Sequence, residues 1–178
     1  MPKARIWSEE ECEWLKEHLA YDPETGTLTW KVISRNINQG IEAGGWKNNG
    51  YRQISLSFKG KSYNYLSHRV CWMIYYGSLP SILDHINQNK KDNRIVNLRE
   101  ADLSRNGGNA PMYSNNRSGA KGVIITPNGD FLSRIDFNGV KKNLGTFDTL
   151  EAAARAYDEA AIEQWGEFAY TNKEHGVY

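Results

Sequence analysis

The sequence predicts an α+β protein in two parts: small antiparallel sheets with accompanying helices, then a three-stranded antiparallel sheet packed on one helix. Three observations predict it. Short runs alternate apolar and polar residues at the period of a half-buried strand, as in Ile54, Leu56 and Phe58. Two Asn-Gly pairs, Asn128-Gly129 and Asn138-Gly139, punctuate the last third of the chain as hairpin turns do. A few longer segments place apolar residues at helical spacing between recognisable caps.

At 178 residues with 12% aromatic content, the chain can build one domain or two small ones. A net charge of +1 means that no global positive field points to nucleic acid. Distribution says more: Lys and Arg outnumber Asp and Glu between Arg52 and Arg105, while acidic residues gather in the first and last helical segments. Two cysteines, Cys12 and Cys71, sit in separate helix-like segments and read as buried thiols, which excludes a disulfide framework or a Cys-x-x-Cys zinc site. No apolar leader or long apolar run argues for secretion or a membrane, so an intracellular protein is expected.

The N-terminus reads as a capped helix. Ser8-x-x-Glu11 is a capping box, Trp7 and Cys12 can staple it, and Leu15 and Leu19 continue the apolar face to an end near Tyr21. "YDPETGTLTWKV" then sets Asp-Pro and Thr-Gly turn signals before the alternating Leu28, Trp30 and Val32. "GYRQISLSFKGKSYNY" predicts strands around a Lys59-Gly60 turn. "LSHRVCWMIYYGSLP" carries Leu66, Val70, Met73 and Ile74 at helical spacing, stopped by Gly77 with Pro80 beyond. In "LDHINQNKKDNRIVNLREADLSRNGGN", Leu83 to Ile86 predicts a short strand, "NQNKKDN" a polar hairpin loop, and Arg94 to Leu98 a returning strand. Asp102 caps a short helix that carries Asn106.

Neighbouring strand residues point to opposite sides, so Asp84 and His85 are not expected to share an ion. That divergence suits phosphodiester hydrolysis. A carboxylate can hold a metal beside the leaving oxygen while an imidazole, whose unperturbed pKa suits a base near neutrality, deprotonates a water on the other side. An isolated Asp-His pair among Asn residues is more often a turn. The shared strand-strand-helix frame carries the metal-site interpretation.

"DHIN", "DNRIVNLR" and "SRN", supported upstream by "GYRQISL" and "SHRVCWMIYYGSLP", resemble the HNH nucleases and their ββα-metal (His-Me finger) motif. The likeness is strongest to the phage homing endonucleases of that group, over roughly residues 50–109. It implies His85 as general base, Asn97 as the residue that steadies the motif and orients the base, and Asp84 and Asn106 as metal ligands, with Asn109 a nearby alternative. Many relatives use imidazole at the metal where this chain offers a carboxylate and an amide oxygen. Hard oxygen donors favour Mg2+, with Mn2+ possible, over zinc. Arg94 or Arg99 is expected to clamp the phosphate, and His68, an isolated His on a helix, is left outside the catalytic set.

After Asn106, "GGNAPMYSNNRSGA" has no hydrophobic period and reads as a linker, residues 107–120. From Lys121 come "GVIITP", "FLSRIDF" and "KKNLGTF", then a helix capped by Thr149, with Glu151 in its first turn, ending near Trp165 with Gly166 beyond. Ala152, Ala153, Ala156, Ala160 and Ala161 let that helix lie close on the sheet. "KGV", "LGTFDTLEAAARAYDEAA" and "AYTN" resemble the plant Apetala/ethylene-response-factor DNA-binding domain over residues 121–172. The resemblance implies that the sheet enters the major groove, with Lys121, Phe131, Arg134, Lys141 and Lys142 on or near the DNA face. Several positions where that family uses Arg or Trp hold other residues here, which implies looser specificity.

Together these features predict a metal-dependent, homing-type DNA endonuclease of a phage or mobile element. Its nuclease part would span residues 1–106, and it would bind double-stranded DNA without a small-molecule cofactor or membrane. The rival is a non-catalytic DNA-binding regulator that keeps the ββα motif for docking. An RNA-processing nuclease is a third class, because phosphate chemistry does not reveal the sugar. No coiled-coil heptad or other dimerisation element stands out, so the oligomeric state stays open.

Overall fold

The computed structural model describes residues 5–31 and 39–178; Val32, expected in the second strand, lies outside the described residues. The protein mixes α and β with small antiparallel sheets, and by its internal contacts it divides into two units, residues 1–101 and 102–178.

In the first unit Ser8 caps α1 (Glu9–His18), its hydroxyl accepting from Glu11 N at 3.2 Å. The Glu11 carboxylate does not return to the cap. It is buried and accepts from Tyr65 OH at 2.5 Å and from Arg5, bonds that a desolvated carboxylate requires. α1 stops at His18, short of the expected Tyr21, because Leu19–Asp22 (β1) pairs antiparallel with Thr27–Trp30 (β2). Gly26 turns this hairpin at φ 75°, and a Cβ there would lie 2.5 Å from Arg94 N and 2.7 Å from the Asn93 carbonyl carbon. Only glycine allows that approach.

β3 (Gly45–Trp46), β4 (Arg52–Phe58) and β5 (Lys61–Leu66) form a sheet in that order, Phe58 opposite Lys61 across the Lys59-Gly60 turn. α2 (Ser67–Tyr76) follows directly and closes at Gly77, whose N–H donates to Met73 O. Val70, Cys71 and Met73 on α2 share one core with Leu15, Leu19, Leu28, Ile54 and Tyr65. Each such apolar side chain contributes roughly 1.5–3 kcal/mol relative to exposure. Cys71 is buried as expected, whereas Cys12 is only half-buried.

Arg69 on α2 donates to Pro80 O at 3.0 Å and Ser81 O at 3.4 Å, fixing the entry to β6 (Ile82–His85). β6 pairs antiparallel with β7 (Leu98–Ala101), Asp84 opposite Arg99 and His85 opposite Leu98. The returning strand therefore starts where it was expected to end. Ile95–Asn97 instead form a 3-10 turn, because Ile95 N donates to Pro23 O and Asn97 spends its amide inside the loop.

In the second unit Asp102 caps α3 (Leu103–Gly108), accepting from Arg105 N at 2.8 Å. α3 packs on the last helix, with Trp165 Nε1 donating to Ser104 Oγ at 3.2 Å. The stretch expected as a linker is tied down, its Gly108, Asn109 and Ala120 buried. β8 (Val123–Ile125), β9 (Phe131–Phe137) and β10 (Val140–Phe147) make the expected meander, β9 in the middle. α4 (Leu150–Trp165), capped by Thr149, lies on it through Ala153, Ala154, Tyr157 and Ala161. Gly122 permits that closeness, since a Cβ there would fall 1.9 Å from the Tyr157 ring. Asp158 is buried and accepts from Asn172 N, Lys173 N and Tyr178 OH at 2.7–3.0 Å, anchoring the C-terminal segment. No helix among the described residues is long and apolar enough to cross a membrane.

Candidate active site

His85 ends β6, and burial leaves it 4% exposed. Its Nε2 lies 3.1 Å from Asn93 Oδ1. The ring is flanked by His68, inclined at 61° with centroids 5.0 Å apart, and by Tyr51 at 6.1 Å. Burial pulls the His85 pKa below its ordinary value, with the Asn93 hydrogen bond and the Asp84 carboxylate acting in the opposite sense. Burial also pushes His68 down to about 3, helped by the charges of His85 and Arg69. Both imidazoles are neutral near pH 7, the form that can accept a proton.

Asn93 is itself held. Its backbone carbonyl accepts from Tyr21 OH at 2.7 Å, and Gly26 lets the β1–β2 hairpin press on its backbone. Asn97 works from inside the loop: Oδ1 accepts from Asn87 N at 3.0 Å, Nδ2 donates to Asp92 O at 2.7 Å, and its backbone O accepts from Ile86 N at 2.9 Å. Asn97 thus ties the end of β6 to the start of β7.

Asp84 is 8% exposed, and both Nε and Nη2 of Arg99 lie 3.0 Å from its Oδ2. Arg94, half-exposed, forks onto Asp92 at 2.8 and 2.7 Å. Hydrogen bonds from Arg94 hold the Asp92 pKa down to about 2. Both arginines expected at a phosphate are thus engaged by carboxylates. Asn106 is half-buried on α3, in the second unit. Among the described residues no group of three or more His, Cys, Asp or Glu is placed to hold a metal.

On the C-terminal sheet, alternation separates the residues expected to face DNA. Arg134 stands opposite Asn143 and Lys141 opposite Asp136, and both line a groove of about 660 Å³. Phe131 does not share that face. It lies on the side of Ser133 and Ile135 and packs against the core of Ala120, Val123 and Ala153. Lys142, opposite Ile135, is likewise directed to the helix side, though exposed. Lys121 turns inward: its Nζ donates to Gly108 O, Ala110 O and Tyr170 O at 2.8, 2.7 and 3.2 Å. Burial lowers its pKa to about 8.

Asn93 and Tyr51 are the site residues the sequence did not reveal. Asn93 looked like Asn87 and Asn89, a turn residue, and no periodicity in a loop marks the one Asn that points inward. Tyr51 was visible only as the start of a strand-like stretch.

Residues 65–107 match the HNH endonuclease family model. This HNH segment includes Asp84, His85, Asn93, Asn97 and Asn106. An uncharacterized HNH endonuclease of Acanthamoeba polyphaga mimivirus is 35% identical over 109 residues, 60% of this chain and 56% of that protein. A putative AP2/ERF and B3 domain-containing protein of Oryza sativa subsp. japonica is 47% identical over 53 residues, 30% of this chain and 17% of that protein. The chain therefore spans about half the length of the viral relative and far less of the plant one. A solved structure titled for DNA binding and cleavage by the HNH homing endonuclease I-HmuI aligns at TM-score 0.43 and 20% identity, covering 78% of this chain and 76% of that one. A likeness that loose assigns no residue. The HNH segment supports a nuclease.

Proposed function

We propose that this protein is a metal-dependent, homing-type DNA endonuclease that hydrolyses phosphodiester bonds with His85 as general base. One observation carries the proposal: a buried, neutral His85, oriented by Asn93 and adjacent in β6 to the Asp84 carboxylate, inside the segment that matches HNH endonucleases. With Asn93 Oδ1 accepting from Nε2–H, Nδ1 is the unprotonated nitrogen that takes the proton of an attacking water. Asn97 keeps the base-bearing strand end and its loop in register. Asp84 offers a carboxylate oxygen of the kind Mg2+ or Mn2+ takes, Asn106 is the second proposed donor by its motif position alone, and such an ion would supply positive charge at the phosphate and the leaving 3′-oxygen. When Asp84 serves as that ligand, Arg99 shares or releases it and becomes available to a phosphate oxygen. In the second unit, Arg134 and Lys141 supply phosphate contacts that anchor double-stranded DNA.

The Asp84–Arg99 pair also favours one rival, a DNA-binding regulator whose carboxylate is retired into an ion pair. Supercoiled plasmid with Mg2+ separates the two. Nicking by the wild type and not by His85→Ala supports the nuclease; a mobility shift with no nicking by the wild type, in Mg2+ or Mn2+, supports the regulator. A parallel incubation with duplex RNA tests the sugar.

A further inference from the structure

The loop joining β3 to β4 presents a surface that the proposed chemistry does not use. Trp46 ends β3 and is 47% exposed. Two cations lie over its ring: the Arg52 guanidinium, on the residue paired with it across the sheet, 5.3 Å from the ring centroid, and Lys91 Nζ at 5.5 Å. Lys90 Nζ donates to Asn49 O at 3.1 Å and sits 4.7 Å from the Tyr51 ring. Trp46, Lys47, Asn48, Asn49 and Gln53 line a shallow cleft of about 480 Å³. Tyr51 connects this platform to the site, since the ring that meets Lys90 also lies 6.1 Å from His85. All of these residues belong to the first unit.

We propose that this platform binds the DNA strand being cut, Trp46 stacking on a nucleobase near the scissile bond while Lys90 and Lys91 neutralise flanking phosphates. The proposal rests on the nuclease function proposed above. With Arg52 and Lys91 over it the indole still keeps about half its surface open, so it offers aromatic surface and positive charge together, the pairing that an unstacked nucleic-acid strand can use. Glu42, paired with Arg52, draws part of that guanidinium's charge and leaves Lys90 and Lys91, carried by the β6–β7 loop, as the cations beside the indole and Tyr51 that can meet phosphates. A base can stack on an indole only after leaving its neighbour, so the duplex must be unstacked beside the cut.

The test uses the full chain, supercoiled plasmid and a short duplex spanning the nick mapped with the wild type. Trp46→Ala should weaken duplex binding by about 10-fold, the scale of one lost base stack, with Trp46→Phe intermediate. Lys90→Ala with Lys91→Ala should flatten the slope of log K against log salt by about 0.9 per charge removed. A 2-aminopurine scan near the nick should find one position whose fluorescence changes on binding and loses that change in Trp46→Ala. Hydrogen exchange in α2 should match the wild type, which excludes unfolding as the cause. If the wild type nicks but Trp46→Ala binds equally well and leaves the scan unaltered, the platform is wrong and the nuclease stands. If the wild type never nicks but Trp46→Ala loses plasmid binding, the platform stands as a DNA contact, and the nuclease is wrong together with the platform's placement at a cut strand.

Discussion

Acid should loosen the first unit, and His68 sets the size of the effect. Its pKa is lowered by burial to about 3, against an ordinary value of 6.5. Protons therefore bind the unfolded chain first as pH falls, so the stability from keeping His68 neutral is full above about 6.5 and is lost below it. The loss approaches about 1.4 kcal/mol per pH unit and comes to about 2 kcal/mol between about pH 7.5 and about pH 5. His85, lowered in the same direction by burial, adds to it. Asp92, held at about 2 by Arg94, stays ionised throughout that window. The assay is hydrogen exchange of the α2 amides, read by mass spectrometry and corrected for the pH dependence of chemical exchange. Protection should fall by about 30-fold or more. His68→Phe keeps an aromatic ring against His85 without a titrating group and should remove most of the slope. Protection independent of pH, or an unaltered slope in His68→Phe, would refute the reasoning.

Three further outcomes follow from contacts already described. Asn93→Ala leaves His85 Nε2 without that acceptor; single-turnover nicking should slow by about 10-fold, one hydrogen bond of roughly 1–2 kcal/mol, while duplex binding holds. Because that bond raises the His85 pKa, the acid limb of the pH–rate profile should move to lower pH in the same variant. Gly26→Ala forces a Cβ to 2.5 Å from Arg94 N at φ 75°, so the melting temperature should drop, reflecting at least about 1–2 kcal/mol, and nicking should fall with it. Arg134→Ala should reduce the salt slope of DNA binding by about 0.9, whereas Lys121→Met should leave it unchanged, because the Lys121 ammonium is committed to backbone carbonyls.

Much of the fold was legible because its signals are local. Ser8, Thr149, Asp102 and Gly77 cap helices where their chemistry directs, and the alternation in β4 and the meander of β8 to β10 survived folding intact. What was misplaced depended on distant partners. Leu19 continues the helical face of α1, yet pairing with Trp30 makes it a strand residue. Arg94 to Asn97 have strand-like composition, yet Pro23 and the Asn97 amide curl them. At the site, the adjacency of Asp84 and His85 was plain, because adjacent residues need no fold to meet. Asn93 was not, since a buried Asn in a loop looks in sequence like its exposed counterparts; His68 was visible but fell outside the site, because a buried His on a helix looks like an exposed one. Lys121 shows the same limit from the other side: a lysine beside a β-strand reads as a surface charge until its carbonyl partners are in place.

The most direct test of the account is single-turnover nicking of supercoiled plasmid by the wild type and His85→Ala, at matched occupancy in Mg2+. Loss of the general base should slow nicking by about 100-fold or more, while the mobility shift stays the same. Equal nicking by both proteins would remove His85 from the chemistry, and a wild type that shifts the plasmid without nicking it in either Mg2+ or Mn2+ would contradict the nuclease assignment.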